Sequence, residues 1–427
     1  RQACPITLTT PSEPWRRLII FDWLTIETIG RHPRNPNETV SVDSNNLPLN
    51  DLLVVDLSRL VSGNILTHVL ADLGADVLKI ESPGKGDDLR AWRRGGVSTY
   101  WLAYCRNKQS VALNLREHAD LEALKDLLTR ADVLVENFRP GVLEKMGLSR
   151  DALQALNPRL VVIRISGWGQ TGHFAGKPGF GSLIEAFSGF AAMNGFSDRP
   201  PVLPPFALAD TVAGLYGAAI ANALVLQQRR TTTPEVQEVD LSLFEPLFAM
   251  LGPQAAEYTL TGQVYPRAGS RSPTHAPRNV YQTRDGTWVA LSAGMDGTLA
   301  RLFTGIGCPE AMDDPRFSSH EARIANVDAL DALIQNHVGQ LSMQEALDFF
   351  EERDITAGPV LDISDLLQHP YVIDRDMLVN TTSEQAQELP VHATPFKLNG
   401  KRPAIRRAAP AIGQDNARWV KHRKAQT

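Results

Sequence analysis

Asp210 is the residue whose setting in the sequence points most directly to chemistry. It lies in Pro205-Phe206-Ala207-Leu208-Ala209-Asp210-Thr211-Val212-Ala213-Gly214, at the head of an apolar, Ala- and Gly-rich run that reads as one helix to about Arg230. The pattern predicts Asp210 as the N-cap of that helix. A carboxylate there accepts bonds from the first free N–H groups and sits at the positive end of the helix dipole, and both effects favour its ionised form. Such a group is either a capping residue or a nucleophile, and residue type alone leaves both open. Other catalytic signatures are missing: there is no HExxH, no GxSxG and no GxxxxGK[ST] phosphate loop. The first strand-like segment ends VVDLSRLVSGN, with one glycine, Gly63, where a dinucleotide fingerprint carries three. The histidines are dispersed, and Cys4, Cys105 and Cys308 are far apart without metal-ligand spacing. We therefore expect no metal, and unpaired thiols in a reducing compartment, cytoplasmic or (in a eukaryote) mitochondrial. Chemistry falls to carboxylates and basic residues.

Elements that would position these groups follow an alternating pattern. Leu52–Ser58, Asp76–Ser82, Ser110–Leu115, Asp132–Phe138 and Leu160–Ser166 are short apolar runs of strand length, separated by helical patterns such as Ile65–Leu73 and His118–Thr129. Short apolar strands between helices predict a parallel sheet covered on both faces, an α/β fold with a Rossmann-like large domain. Val236–Asp240 adds a strand after the long helix, and Leu241–Leu251 a further helix. The turn-rich stretch from Gly262 to Asn279 reads as a linker. Thr287–Ala293 and helices near 296–305, 323–340 and 343–352 then suggest a smaller α+β domain. The expected organisation is an N-terminal extension over 1–46, the first part of the large domain over 47–261, the linker and small domain over 262–372, and a return to the large domain over 373–427. Glu13, Asp22 and Glu27 argue against a transit peptide in the extension.

Bulk composition narrows the partners. At 427 residues, 43% hydrophobic and 21% charged, the chain can bury two or three domain cores. A net charge of -5 offers no basic face for nucleic acid, although a few local Lys and Arg residues would suffice for an anionic small molecule. No uninterrupted apolar run reaches the roughly 18 residues that a bilayer span needs, because Asp210 breaks the longest one, so no membrane partner is expected.

From Leu47 onward the sequence resembles the class III CoA-transferase family. LPLNDLLVVDLSRLVSGN resembles its opening strand and turn, and LADLGADVLKIESPGKGDDLR its second strand and loop. RNKQSVALNL, ADVLVENFRPGVLEKMGL, LNPRLVVIRISGWGQTG, SLIEAFSG, LADTVAG and ITAGPV follow in family order. The resemblance implies transfer of CoA from an acyl-CoA thioester to a carboxylic acid, with CoA as substrate and no tightly bound cofactor. Asp210 falls on the family's nucleophile. The carboxylate would pass through a mixed anhydride and an aspartyl thioester, which splits one exchange into easier covalent steps and requires water to be kept out.

The same resemblance places Arg59, Leu60 and Ser62 on a turn near the nucleotide, and Leu113, Asn137 and Phe138 at strand ends. Lys145 and Lys177 fall near positions that contact CoA phosphates. Ser82 stands where formyl-CoA transferase carries a CoA-contacting Arg, and Arg90, Arg93 and Arg94 are the candidates to replace it. Gly169 and Gln170, in Gly167-Trp168-Gly169-Gln170-Thr171-Gly172, form either a backbone nest beside the acyl group or a plain turn. Gly269, in Ala268-Gly269-Ser270-Arg271, is the nearest counterpart of the family's covering loop. A dicarboxylate is an expected substrate, with His275, Arg278 and Arg271 in the loop that would face it; an Arg suits a distal carboxylate. Family members form homodimers in which the two chains interlock as rings, and the same is expected here.

The nearest competing reading is a 2-methylacyl-CoA racemase of the same superfamily. That reaction needs a His in a Gly-His-Asp setting, which here reads Gly179-Phe180-Gly181, and Phe180 cannot shuttle a proton. His173 is seven residues away. A CoA lyase, another CoA-dependent variant and a non-catalytic CoA-binding relative are the remaining alternatives.

Overall fold

The computed structural model describes residues 46–382 and 387–420. Cys4 and the acidic residues noted in the extension lie outside the described residues. A six-stranded parallel sheet organises the first part of the chain: β1 (Leu53–Asp56), β2 (Asp76–Glu81), β3 (Lys108–Ala112), β4 (Val133–Glu136), β5 (Val161–Ser166) and β6 (Gln237–Ser242). Its order is β3-β2-β1-β4-β5-β6, so the chain reverses direction across the sheet between β1 and β4. In a doubly wound sheet the crevice at such a switch point, beyond the strand C-termini, is where ligands bind.

Alternation along each strand explains why both faces are covered. Val54, Val77, Val133, Val135, Val161 and Ile163 face one apolar core, shared with the helices Ser62–Asp72 and Leu208–Arg230. Val55, Leu78, Leu134 and Val162 face a second core under the helices His118–Leu128 and Arg150–Leu156. A strand flanked by helices on both sides is apolar at every position, which is why these segments read as continuous hydrophobic runs.

The helix Leu208–Arg230 is, by length and composition, long and apolar enough to cross a bilayer. It qualifies because the helix runs on through Asp210. Here its small residues lie against protein. A Cβ on Gly214 would stand 2.8 Å from the Ser62 carbonyl oxygen and from Ile65 Cγ2, and one on Gly217 would stand 2.4 Å from Leu66 Cδ1. The two helices therefore approach backbone to backbone, closer than any larger residue permits. This contact carries the start of one helix to the start of the other.

Beyond residue 276 a three-stranded antiparallel sheet, β7 (Arg278–Gln282), β8 (Trp288–Ser292) and β9 (Ala357–Pro359), packs with helices around Tyr281, Phe303, Phe317 and Phe350. Strand β7 starts inside the stretch expected to be linker, because Arg278 and Asn279 pair with Ser292 and Leu291 of the next strand. The expected helix over 323–340 is two helices, His320–Ala325 and Val327–Val338, separated at Asn326.

A hairpin of β10 (Leu378–Thr382) and β11 (Glu388–His392) follows. The last described residues then run along the free edge of β3. The Asp415 side chain accepts the Ser110 N–H at 3.0 Å, and its own N–H goes to the Ser110 carbonyl. Asn416 accepts from Ala112 N at 2.8 Å and donates to Ala112 O at 3.2 Å. Side chains thus satisfy an edge that would otherwise present unpaired backbone groups.

Candidate active site

Two loops and two helix starts meet at Asp210. Gly167 and Gly179 lie back to back, a Cβ on the first falling 2.6 Å from the Cα of the second, so the chain after β5 folds flat on itself. Trp168 Nε1 donates to the Pro178 carbonyl at 2.9 Å and fixes that fold. The helix Gly181–Phe187 begins there. A Cβ at Gly181 would come within 2.3 Å of Asp210 Oδ2, so the absence of a side chain admits the carboxylate. From the other side Ser62, first residue of its helix, offers both hydroxyl and backbone N–H to the Asp210 carboxylate.

The cap geometry expected for Asp210 is not what is observed. The helix starts at Leu208 after Ala207, and Asp210 is the third residue of its first turn. Its carboxylate meets the Ser62 hydroxyl and N–H together with its own backbone N–H. Electrostatics also differ from the simple expectation. Burial pushes the Asp210 carboxyl up to about 6, and the neighbouring Glu185 carboxylate pushes the same way, against the bonds from Ser62. Glu185 is itself 2% exposed, and its Oε1 accepts the Ala209 N–H at 3.2 Å. At neutral pH Asp210 remains mostly ionised, yet less solvated than a surface aspartate, a state suited to a nucleophile.

Glu185 and Gly181 were missed as site residues, although both lie in or beside the matched SLIEAFSG segment. Their signal was available: a lone carboxylate in an apolar helical run, four residues after a glycine and so on the same face.

Arg59, Leu60, Asn137 and Phe138 come together at the switch point. Asn137 Oδ1 accepts the Arg59 N–H at 2.8 Å, and its Nδ2 donates to the Arg59 carbonyl at 2.7 Å. The exposed Arg59 guanidinium lies 5.5 Å from the Phe138 ring centroid. Leu60 has a left-handed φ of 60°. Leu113, by contrast, is a core residue of the second face. Lys145 and Lys177 are exposed on separate segments, with the Lys177 ammonium 3.7 Å from the Phe174 ring centre.

Several expected roles do not fit the observed partners. Arg90 cannot stand in for an Arg at Ser82: it binds Glu81 through two bonds of 2.8 and 2.9 Å, reaches the Pro410 carbonyl, and stacks 3.6 Å from the Trp101 ring centre. Arg93 turns to the carbonyls of Arg90 and Gly96, while Arg94 is exposed. Arg271 is committed to Asp331 and Asp328, each at 2.7 Å, rather than open to a distal carboxylate. His275 and Arg278 are exposed.

Of the two readings of Gly169-Gln170, nest or turn, the geometry favours the turn, because both Asp240 oxygens accept the Gln170 N–H at 2.8 Å. Gly169 supplies the φ of 89° that this turn needs. The loop bearing Gly269 is strapped down. Its N–H bonds the Gly195 carbonyl at 2.8 Å, Ala268 bridges to Phe196, and Arg267 holds the carbonyls of Phe196 and Arg199. No cluster of potential metal ligands occurs among the described residues.

Comparison with known proteins gives one consistent result. The profile of CoA-transferase family III matches residues 49–416. Succinyl-CoA--D-citramalate CoA-transferase of Chloroflexus aurantiacus is 36% identical over 372 residues, covering 86% of this chain and 92% of that one. Acetyl-CoA:oxalate CoA-transferase of Acetobacter aceti is 34% identical over 374 residues, covering 87% and 94%. The crystal structure of a CAIB/BAIF family protein from Brucella suis superposes with a TM-score of 0.76 at 32% identity, covering 87% of this chain and 98% of that one. With its parallel sheet, its buried aspartate and these relatives, the chain belongs to CoA-transferase family III and is an enzyme of the transferase class.

Proposed function

We propose that this enzyme moves CoA from an acyl-CoA thioester to a carboxylic acid, with Asp210 as the nucleophile. The observation that carries this reading is the Asp210 carboxylate, held between Ser62, Gly181 and Glu185 in a largely buried position. Asp210 attacks the donor thioester carbonyl; the C–S bond breaks and leaves an acyl–aspartyl anhydride and CoA thiolate. The thiolate attacks the aspartyl carbonyl, releases the donor carboxylate, and leaves an aspartyl–CoA thioester. An acceptor carboxylate displaces the thiolate to form a second anhydride. The returning thiolate takes the acceptor acyl group and frees Asp210. Each covalent step replaces one difficult exchange by an easier one.

In the second and third steps the attacked carbon is Cγ of Asp210 itself. Its retained oxygen gathers negative charge, and the Ser62 hydroxyl and N–H already point at that group. Donors aimed where charge develops are commonly the largest single catalytic contribution. Arg59 over Phe138, at the switch point, offers a cation and a flat ring for the CoA nucleotide. The names of the relatives carry citramalate and oxalate, so a dicarboxylate is the acceptor class we assign. We also assign a homodimer with interlocked chains. Phe180, Phe187, Leu215, Tyr216 and Phe248 are all 45–69% exposed in the single chain, and a second copy would cover them.

Trapping tests the reading. Enzyme incubated with succinyl-CoA and quenched with hydroxylamine should carry a hydroxamate at Asp210 by peptide mass spectrometry. An unmodified Asp210, with exchange activity intact, would end the covalent proposal.

A further inference from the structure

The turn between β1 and the helix Ser62–Asp72 is held in an unusual way. All six backbone hydrogen-bonding groups of Ser58, Arg59 and Leu60 are taken by side chains. Ser58 N–H goes to Asp56 Oδ1 at 2.9 Å, and Lys79 Nζ donates to the Ser58 carbonyl. Asn137 clasps the Arg59 N–H and carbonyl. Leu60 N–H goes to Asp87 Oδ1 at 2.9 Å, and Asn64 Nδ2 donates to the Leu60 carbonyl.

The partners are themselves tied together. Lys79 is fully buried, 3.2 Å from Asp56 and 3.0 Å from Asp87, and Asn64 Nδ2 reaches Asp87 Oδ2 at 2.8 Å. The side chains come from β1, β2, the loop after β2, the end of β4 and the following helix. Leu60 sits in a left-handed conformation that a leucine avoids, and such strain persists only where the surroundings over-determine it. Two residues on, Ser62 meets Asp210, with its carbonyl packed against Gly214.

Taking the transfer reading as given, we propose that Asn137 is a positioning residue. By clasping the Arg59 peptide across the switch point it fixes the Ser58–Leu60 turn and so aims Ser62 at Asp210. Each polar atom of its amide gives one bond to Arg59, and the split between kcat and KM separates this role from direct contact with CoA. Glu185 is the charged group that faces Asp210 from the adjoining helix, and Asn137 bonds Arg59 instead; Asn137 reaches Asp210 through Ser62.

The test is kinetic and structural together. Asn137 is only half-buried, so Asn137→Ala should fold. Asn137→Asp, which keeps the acceptor for Arg59 N–H and loses the donor, serves as the second variant. Asn137→Ala should lower kcat about 10-fold or more and raise the KM for succinyl-CoA by a smaller factor, since Arg59 is loosened as well, and Asn137→Asp should fall between. In a Ser62→Ala background, Asn137→Ala should cost less than in wild type, because only the residue-62 N–H is left for it to aim. Hydrogen exchange of peptides spanning 57–63 should speed up in both Asn137 variants.

A raised KM with kcat intact would overturn the inference, as would losses that multiply with Ser62→Ala, or unchanged exchange at 57–63. If the wild-type enzyme exchanges no CoA between any donor and acceptor, the transfer reading itself falls; the exchange measurement still reports on the clasp.

Discussion

Replacing Asp210 by Asn should abolish transfer and, at the same time, make the protein more stable. The carboxyl titrates near 6 in the folded protein against an ordinary value of 3.8, because it is largely buried and faces Glu185. Between those values the folded state binds the proton more tightly than the unfolded chain, so wild-type stability falls as pH rises through the interval. The full penalty is reached above about pH 7. A difference of about 2 pKa units corresponds to roughly 3 kcal/mol. Asparagine carries no charge to desolvate, and its Oδ1 still accepts from Ser62. Urea unfolding of both proteins from pH 4 to 8 measures the effect. The two should be nearly equal at pH 4, and the variant should gain about 2–3 kcal/mol by pH 8. A variant equal to or less stable than wild type at pH 8 would mean that Asp210 is not a strained, desolvated carboxylate, and so not a nucleophile poised by its burial.

Three further outcomes are expected. Glu185→Gln removes a like charge facing Asp210 while keeping an acceptor for the Ala209 N–H, so the acid limb of the pH–rate profile should move to lower pH; movement upward would contradict the pairing. Gly181→Ala places a methyl 2.3 Å from Asp210 Oδ2 and should reduce kcat on the order of 100-fold with the melting temperature little changed, so activity near wild type would refute the close approach. Lys79→Met leaves Asp56 and Asp87 buried without the cation between them, and should lower unfolding free energy by about 3–5 kcal/mol. A loss under about 1 kcal/mol by urea titration would show that the network contributes little.

The parallel sheet was legible because its strands are buried on both faces and therefore apolar at each position. Asp210 stood out by its place at the head of a long Ala/Gly run, and the family resemblance alone turned it from a cap into a nucleophile; its surroundings were not legible. Whether a carboxylate near a helix start caps that helix or turns to a neighbour depends on what packs there, and Gly214 against Ser62 is a contact between segments far apart in the chain. Arg90 and Arg271 illustrate the same limit. Both read as free cations, yet each is consumed by a carboxylate that only the fold brings near, Glu81 in one case and Asp331 in the other. Strand β7 was obscured by the Pro- and Gly-rich residues before it. Asn137 and Phe138 were singled out by the family resemblance at the end of a strand that pattern locates; the clasp on Arg59 depends on β1 and β4 being neighbours, which pattern does not supply.

The borrowed edge on β3 has a bearing on how the chain is made. Ser110 and its partner Asp415 are separated by 305 residues, so that strand edge stays open while the whole intervening stretch is synthesised. Until then the nascent sheet presents an open rim, a template for unwanted pairing with other chains. The unit around β7–β9 has its whole core within residues 276–357 and can consolidate earlier. Synthesis order therefore places Asp415 and Asn416 as a late-made latch on an earlier-made sheet, and their loss should harm yield and solubility without touching Asp210.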